Sequence, residues 1–248
     1  MDRSIYIAMA GAQQSLEREA VTAHNLANVG TAGYKGETSS FQAAYVQGQG
    51  MPTRAYALTA STGADLAAGT IQKTGRDLDV AIERDGFLAV QARDGSEAYT
   101  RDGALQLGSD GQLQTRNGLT VLGEGGPIVV PPDSNVSIAR DGTISVTTDG
   151  QSAANVSVVG KLKLVNPAAA DIAKSTDGLF RTKSGKPADA DPQVSVVSGA
   201  LEASNVNAVA SMVDMINVAR HFDLQMKLMQ SVDANAQRAT ELLATNGG

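Results

Sequence analysis

Carboxylates outnumber the other titratable catalytic side chains in this 248-residue chain, which has 26 Asp and Glu residues against two histidines and no cysteine. The close pairs Asp77 and Asp79, and Glu83 and Asp85, have the composition of an acid–base couple for glycan hydrolysis, which needs two carboxyls a few ångströms apart. So acidic a chain offers such pairs by composition alone, and no other pattern marks a cleft around these. The pairs Asp85-Gly86, Asp94-Gly95, Asp102-Gly103, Asp110-Gly111, Asn117-Gly118, Asp141-Gly142 and Asp149-Gly150 suggest calcium only superficially. No twelve-residue window combines alternating Asp, a central Gly and a closing Glu. They read instead as tight turns whose glycines supply positive φ. His24 and His221 each lie alone in a helical pattern, without a second histidine at ligand spacing. Gly123-Glu124-Gly125-Gly126 runs through Pro127 into the strand-like Ile128-Val129-Val130, so it lacks the helix N-terminus on which a phosphate cradle depends. There is no Gly-x-Ser-x-Gly elbow to present a serine nucleophile. The residues therefore predict no enzyme, no metal and no cofactor.

The elements that would position anything else fall into three zones. Ile5, Met9, Ala12, Leu16, Ala20, Ala23 and Leu26 recur at three- and four-residue steps, which predicts a helix with a narrow apolar stripe. It should stop near Val29-Gly30-Thr31-Ala32-Gly33, where Gly30 or Gly33 could supply a left-handed cap. Val209, Met212, Ile216, Ala219, Phe222, Met226, Met229, Val232, Ala236, Ala239 and Leu243 repeat the pattern at the far end, with Asn205 or Asn207 as the N-cap. Neither stripe can be buried by its own helix. The two helices either pair with each other as a coiled coil or pack on the central region as ordinary helices.

Between them, short alternating apolar runs such as Leu78-Val80-Ile82, Leu88-Val90, Ile144-Val146 and Val156-Val158 predict strands punctuated by the Asp-Gly turns. The fold class is thus a mainly β central domain, an antiparallel meander closed into a sandwich or irregular barrel, with long N- and C-terminal α-helices pairing as a coiled coil. The predicted division is a discontinuous helical domain over 1–39 and 205–248, an extended connection over 40–75, and a β-rich domain over 76–204. With no Trp and few aromatic residues, the core is expected to be thin and aliphatic. A net charge of −6 with scattered Lys and Arg argues against nucleic-acid partners. No stretch approaches the ~18 apolar residues of a membrane span, and no basic n-region precedes an apolar run at Met1-Asp2-Arg3-Ser4, so neither direct membrane insertion nor a cleaved signal peptide is expected.

The segment Thr22-Ala23-His24-Asn25-Leu26-Ala27-Asn28-Val29-Gly30-Thr31-Ala32-Gly33-Tyr34-Lys35 resembles the N-terminal signature of the flagellar basal-body rod and hook family. It departs at His24, at Ala32, where proline is common, and at Tyr34, where the family carries phenylalanine. Gly199-Ala200-Leu201-Glu202-Ala203-Ser204-Asn205-Val206-Asn207, with the following Met212, Met215-Ile216, Arg220, Phe222 and Gln225-Met226-Lys227, resembles the family's C-terminal block. Tyr99-Thr100-Arg101-Asp102-Gly103 and Gly123 to Ile128 are most similar to its proximal-rod branch. The resemblance implies a structural rod subunit that assembles with itself and other rod proteins into a helical axial tube transmitting motor torque and containing the export channel. It also implies export through the flagellar type III apparatus and a place in the periplasm-spanning basal body. The implied assembly positions are Ile5, Leu16, Asn25, Leu26, Asn28, Leu201, Asn205, Val206, Asn207, Met212, Ile216, Phe222, Met226 and Met229. A secreted adhesin or binding module, or a wall-remodelling glycosidase, stands as the alternative.

Overall fold

A computed structural model describes residues 4–45, 55–132, 134–148 and 156–245. The chain divides into two compact units, each discontinuous in sequence: a helical unit from residues 1–27, 37–63 and 207–248, and a β unit from 28–36 and 64–206.

The helical unit contains α1 (Ser4–Ala27), the strands β1 (Glu37–Tyr45) and β2 (Ala55–Ala64), which pair with each other, and the long C-terminal helix α2 (Ala208–Thr245). The two helices lie side by side and run antiparallel. Arg18 pairs with Asp214 at 2.5 Å and the Thr22 hydroxyl donates to the same carboxylate, while further along Gly11 faces Gln225. Their contact is lined by small residues. Ala8, Ala12 and Thr22 are buried on α1 and Val218 on α2, and the part-buried neighbours Ile5, Ser15 and Glu19 continue the same three- and four-residue rhythm.

This corrects the expected stripe. Ile5 and Ala12 lie on the packed face, but Met9, Leu16, Met212 and Ile216 are each more than half exposed. One residue is about 100° of helix rotation, so a seam shifted by one position turns the larger side chains outward. At a close helix–helix approach the small face wins, because Ala, Gly and Ser leave less bulk between the backbones.

Asn207, rather than Asn205, caps α2: its side-chain oxygen accepts a hydrogen bond from the Ala210 amide at 3.0 Å. Asn207→Ala is expected to cost about 1 kcal/mol of local helix stability. Hydrogen exchange should show faster opening at Val209 and Ala210 with no change past the third turn; equal protection would mean that the cap contributes nothing.

The β unit comprises β3 (Ile71–Lys73), β4 (Val80–Ile82), β5 (Phe87–Gln91), β6 (Glu97–Thr100), β7 (Leu105–Leu107), β8 (Leu113–Thr115), β9 (Thr120–Gly123), β10 (Gly126–Pro127), β11 (Ser134–Ile138), β12 (Thr143–Thr148), β13 (Val156–Lys161), β14 (Leu164–Val165), β15 (Ile172–Lys174), β16 (Phe180–Thr182), β17 (Val196–Ser198) and β18 (Ala200–Glu202). Only β7 to β9 and β11 to β13 follow one another as simple meanders. The main sheet runs β15-β16-β6-β5-β9-β8-β7, with β10 beside β9 and β14 beside β5, and β4 and β3 take as partners β17 and β18 from the far end of the chain. Every one of these pairings is antiparallel.

An aliphatic core fills the unit, centred on Val90, Leu105, Leu113, Val121 and Ile144. A second cluster departs from the aliphatic expectation: Phe87, Tyr99 and Phe180 gather around Val165 and Ile172, with the two phenyl rings 5.0 Å apart. The described residues of 40–75 hold most of β1, all of β2 and all of β3. The turn reading fits at Gly86, Gly95, Gly111, Gly118 and Gly142, all at positive φ, and Asp94, Asp110 and Asp141 each accept an amide two residues on. Gly103 is different, because a Cβ there would lie 1.7 Å from the Val80 carbonyl oxygen. Gly150 lies outside the described residues. Among the described residues no helix is long and apolar enough to cross a membrane.

Candidate assembly junction

Both signature segments run partly within the β unit, where they meet around three buried charges. The chain turns twice after α1, with Thr31 and Tyr34 donating their amides to the Asn28 and Thr31 carbonyls. Gly33 then runs against the backbone of Arg101, so close that a Cβ would stand 2.2 Å from the Arg101 carbonyl carbon, and it adopts φ 66°. This delivers Lys35 to the interior. Its Nζ donates to Glu202 Oε1 and to the Ala67 carbonyl, both at 2.7 Å. Arg101 approaches from the other side, giving a 2.8 Å bond to Glu202 Oε2 and a 2.7 Å bond to the Arg84 carbonyl. The Gly69 amide completes the carboxylate's shell at 2.8 Å. Lys35, Arg101 and Glu202 are all at least 97% buried.

The electrostatics follow from two cations sharing one carboxylate. For Glu202, burial alone would raise the pKa. The Lys35 hydrogen bond, the Arg101 charge and the Gly69 amide outweigh it and hold the carboxyl below its ordinary range. Burial works against the Lys35 ammonium, the bond to Glu202 restores only part of the loss, and Arg101 repels it, so its pKa is lowered. The guanidinium also lies 5.5 Å from the Phe87 ring centroid, which ties the cluster to the aromatic part of the core.

Around the charges the two segments are stitched main chain to main chain. The Gly33 amide donates to the Glu202 carbonyl at 2.7 Å and the Asn205 amide to the Tyr34 carbonyl at 3.4 Å. The Asn205 side chain accepts from the Gly36 amide and donates to the Asp65 and Ala67 carbonyls. Lys174 closes the outer side, donating to the Lys35 carbonyl with its ammonium 4.0 Å from the Tyr34 ring centroid.

The fourteen expected assembly positions separate into two groups. Leu16, Met212, Ile216 and Met226 are exposed on the helices, with Ile5, Phe222 and Met229 partly covered. Asn25, Leu26, Asn28, Leu201, Asn205, Val206 and Asn207 lie on the signature segments, where Asn25, Asn205 and Asn207 bond to the chain's own backbone. Lys35, Arg101 and Glu202 lie in the three motifs with no role of their own in the sequence reading; the signal for Lys35 and Glu202 is that each is the one charge in an otherwise small, polar or apolar segment, whereas Arg101 stands beside Asp102. One member of each carboxylate pair weighed for glycan chemistry is engaged elsewhere, Asp79 by Arg76 and Glu83 by Arg140 and Ser195.

Comparison with known proteins decides the family. Residues 81–146, within the β unit, match the family described as Flagellar hook protein FlgE/F/G D1 domain, and residues 197–242 match Flagellar basal body rod FlgEFG protein C-terminal. The chain is 47% identical to the flagellar basal-body rod protein FlgF of Escherichia coli K12 over 98% of its own length and 99% of that protein's.

The chain belongs to the flagellar basal-body rod protein family.

FlgF of Salmonella typhimurium LT2 is 46% identical over the same shares, and the rod protein FlgG of Agrobacterium fabrum is 32% identical over 94% of this chain and 97% of its own. This rod protein is thus a FlgF-like structural subunit located in the basal body. The comparisons give no support to an adhesin or a glycosidase. The C-terminal match spans β18, Glu202 and most of α2 and the other match holds Arg101, so two of the three charges in the cluster lie within family-matched segments.

Proposed function

We propose that this rod subunit assembles with copies of itself and with other rod proteins through the outward faces of α1 and α2, building a helical tube that transmits torque by packing alone. The observation that carries this is the apolar surface left over after the two helices have packed. Met9 and Leu16 on α1, and Val209, Met212, Val213, Ile216 and Leu224 on α2, are each more than half exposed. Single exposed apolar residues are ordinary, but repeated large ones along two paired helices need a further partner. Equivalent patches meeting head to tail give contacts that do not close, and such contacts build filaments.

In this reading the two helices form a short coiled coil, the helical domain is drawn over 1–39 and 205–248 and lines the axis of the tube, and the β domain is drawn over 76–204. Residues 40–75 link the two. Ile5, Leu16, Met212, Ile216, Phe222, Met226 and Met229 make the contacts between subunits. Asn25, Leu26, Asn28, Leu201, Asn205, Val206 and Asn207 fix the segments that present them. The chain performs no reaction, and it reaches the rod through the flagellar type III apparatus.

The test is a Leu16→Asp, Ile216→Asp double variant expressed in place of the parent. Acid-stripped hook–basal bodies analysed by mass spectrometry are expected to lack it, with assembly stopped before the distal rod, while the β unit of the purified variant melts with the parent. Incorporation at the parent's level would overturn the packing assignment.

A further inference from the structure

Within the helical unit, the buried contact between α1 and α2 is made of small side chains, Ala8, Ala12 and Thr22 on one helix and Val218 on the other. Such a seam says little about register, because sliding by one turn exchanges one shallow contact for another. Two contacts break the uniformity. Asp214 accepts from the Arg18 guanidinium at 2.5 Å and from the Thr22 hydroxyl at 3.2 Å. Further along, Gly11 leaves a notch filled by the Gln225 side chain, whose Cδ lies 3.0 Å from where a Cβ on Gly11 would stand. Gly11 and Thr22 are eleven residues apart on α1, and Asp214 and Gln225 are eleven apart on α2. On antiparallel helices, two contacts so spaced specify one and the same register.

We infer that Asp214 and Gln225 are positioning residues that set the register of the helix pair, and with it the spacing of the apolar side chains that the pair offers to its neighbours. A slip of one turn would bring Thr22 level with Ala210 or Val218, and Gln225 level with Ile7 or Ser15. Either way the buried hydroxyl loses its acceptor and the glutamine meets a side chain in place of the notch. An exposed ion pair adds little to stability. It can still choose between registers, because only one of them satisfies Asp214 and Gln225 together. In that register Leu16 comes level with Arg220, midway along the pair between Ile216 and Leu224, all three apolar residues being more than half exposed. They follow one another at four-residue intervals, about 6 Å. A one-turn slip would bring Leu16 level with Ile216 or Leu224 and leave a gap where it had been. The use made of this spacing rests on the rod-subunit reading.

The chain has no native cysteine, so spin labels can be placed through Gln13→Cys on α1 and Asn235→Cys on α2, both exposed. Pulsed dipolar spectroscopy on the full-length protein is expected to give one narrow distance distribution. The Gly11→Val, Asp214→Ala double variant closes the notch and removes the acceptor, and should move the distance by about 6 Å, one helical turn, with helicity by circular dichroism unchanged. Should the double variant lose its helicity, Asp214→Ala alone carries the test and should show a second population displaced by the same step. An unmoved distance, a broad distribution in the parent, or a loss of helicity in Asp214→Ala without a displaced population would overturn the proposal. The Leu16→Asp, Ile216→Asp variant should keep the parent's distance. Its incorporation into basal bodies would therefore tell against the packing assignment and leave the register intact.

Discussion

Glu202→Ala is expected to remove about 3–5 kcal/mol from the stability of the β unit, because it leaves two buried cations with no counter-charge. The loss exceeds anything the ion pairs themselves contribute. Taking Lys35 and Glu202 out of water costs nearly as much as their attraction returns, and the asymmetry appears only when one partner is deleted. Adding Lys35→Met to Glu202→Ala should therefore recover part of the stability, by removing one of the stranded charges. Denaturant unfolding of the β unit would show a single variant worse than the double; the reverse order would sink the argument.

The same group sets a pH dependence. Because its folded pKa lies below the ordinary glutamate value of 4.5, the unfolded chain binds this proton more readily than the folded one. The contribution of Glu202 is fully present above about pH 4.5 and is lost as pH falls through the folded value. Glu83, Asp94, Asp141 and Asp177 are shifted in the same direction by their own hydrogen bonds. Those groups lie near the surface, where salt screens charge. The acid-sensitive part that Glu202 contributes should be the part missing from Glu202→Ala.

Gly33→Ala is expected to destabilise the β unit by at least about 3 kcal/mol. Two costs combine: a left-handed backbone at φ 66°, and a Cβ placed 2.2 Å from the Arg101 carbonyl carbon. The obstructing atom is main chain, so no rotamer change can relieve the clash. Gly30→Ala, three residues earlier, meets nothing within 4 Å and should shift stability by no more than about 0.5 kcal/mol. The pair makes a controlled comparison by chemical denaturation. If both variants unfold with the parent, the approach of these two segments is looser than the backbone contact requires.

The helices and most turns were legible in the sequence because they depend on local chemistry. Three- and four-residue apolar steps report α1 and α2 whatever they pack against, and an aspartate before a glycine reports a turn whose amide the carboxylate caps. The face each helix buries was not legible, since Ala8, Ala12 and Thr22 carry almost no hydrophobic signal beside Met9 and Leu16. Strands β1 and β2 left only a faint trace for a similar reason: Phe41, Ala43 and Tyr45, and Tyr56 and Leu58, do alternate, but among the Gly, Ala, Thr and Gln of 40–75. At the junction, the motifs pointed to the right segments. The ion pair did not emerge from them, because Lys35 and Glu202 are 167 residues apart and only the folded approach of the Gly33 amide to the Glu202 carbonyl brings their segments together.

That separation has a consequence in time. A ribosome releases the chain from its N-terminus, so Lys35 and Arg101 are both made well before Glu202. Strands β3 and β4 likewise wait for β18 and β17, which close the unit from its last few residues before α2. Until residue 202 exists, two cations and two unpaired strands hold the β unit open, and the nascent subunit cannot set into its final form early. Closure comes only as the segment leading into α2 appears, so the β unit finishes last what its first residues began.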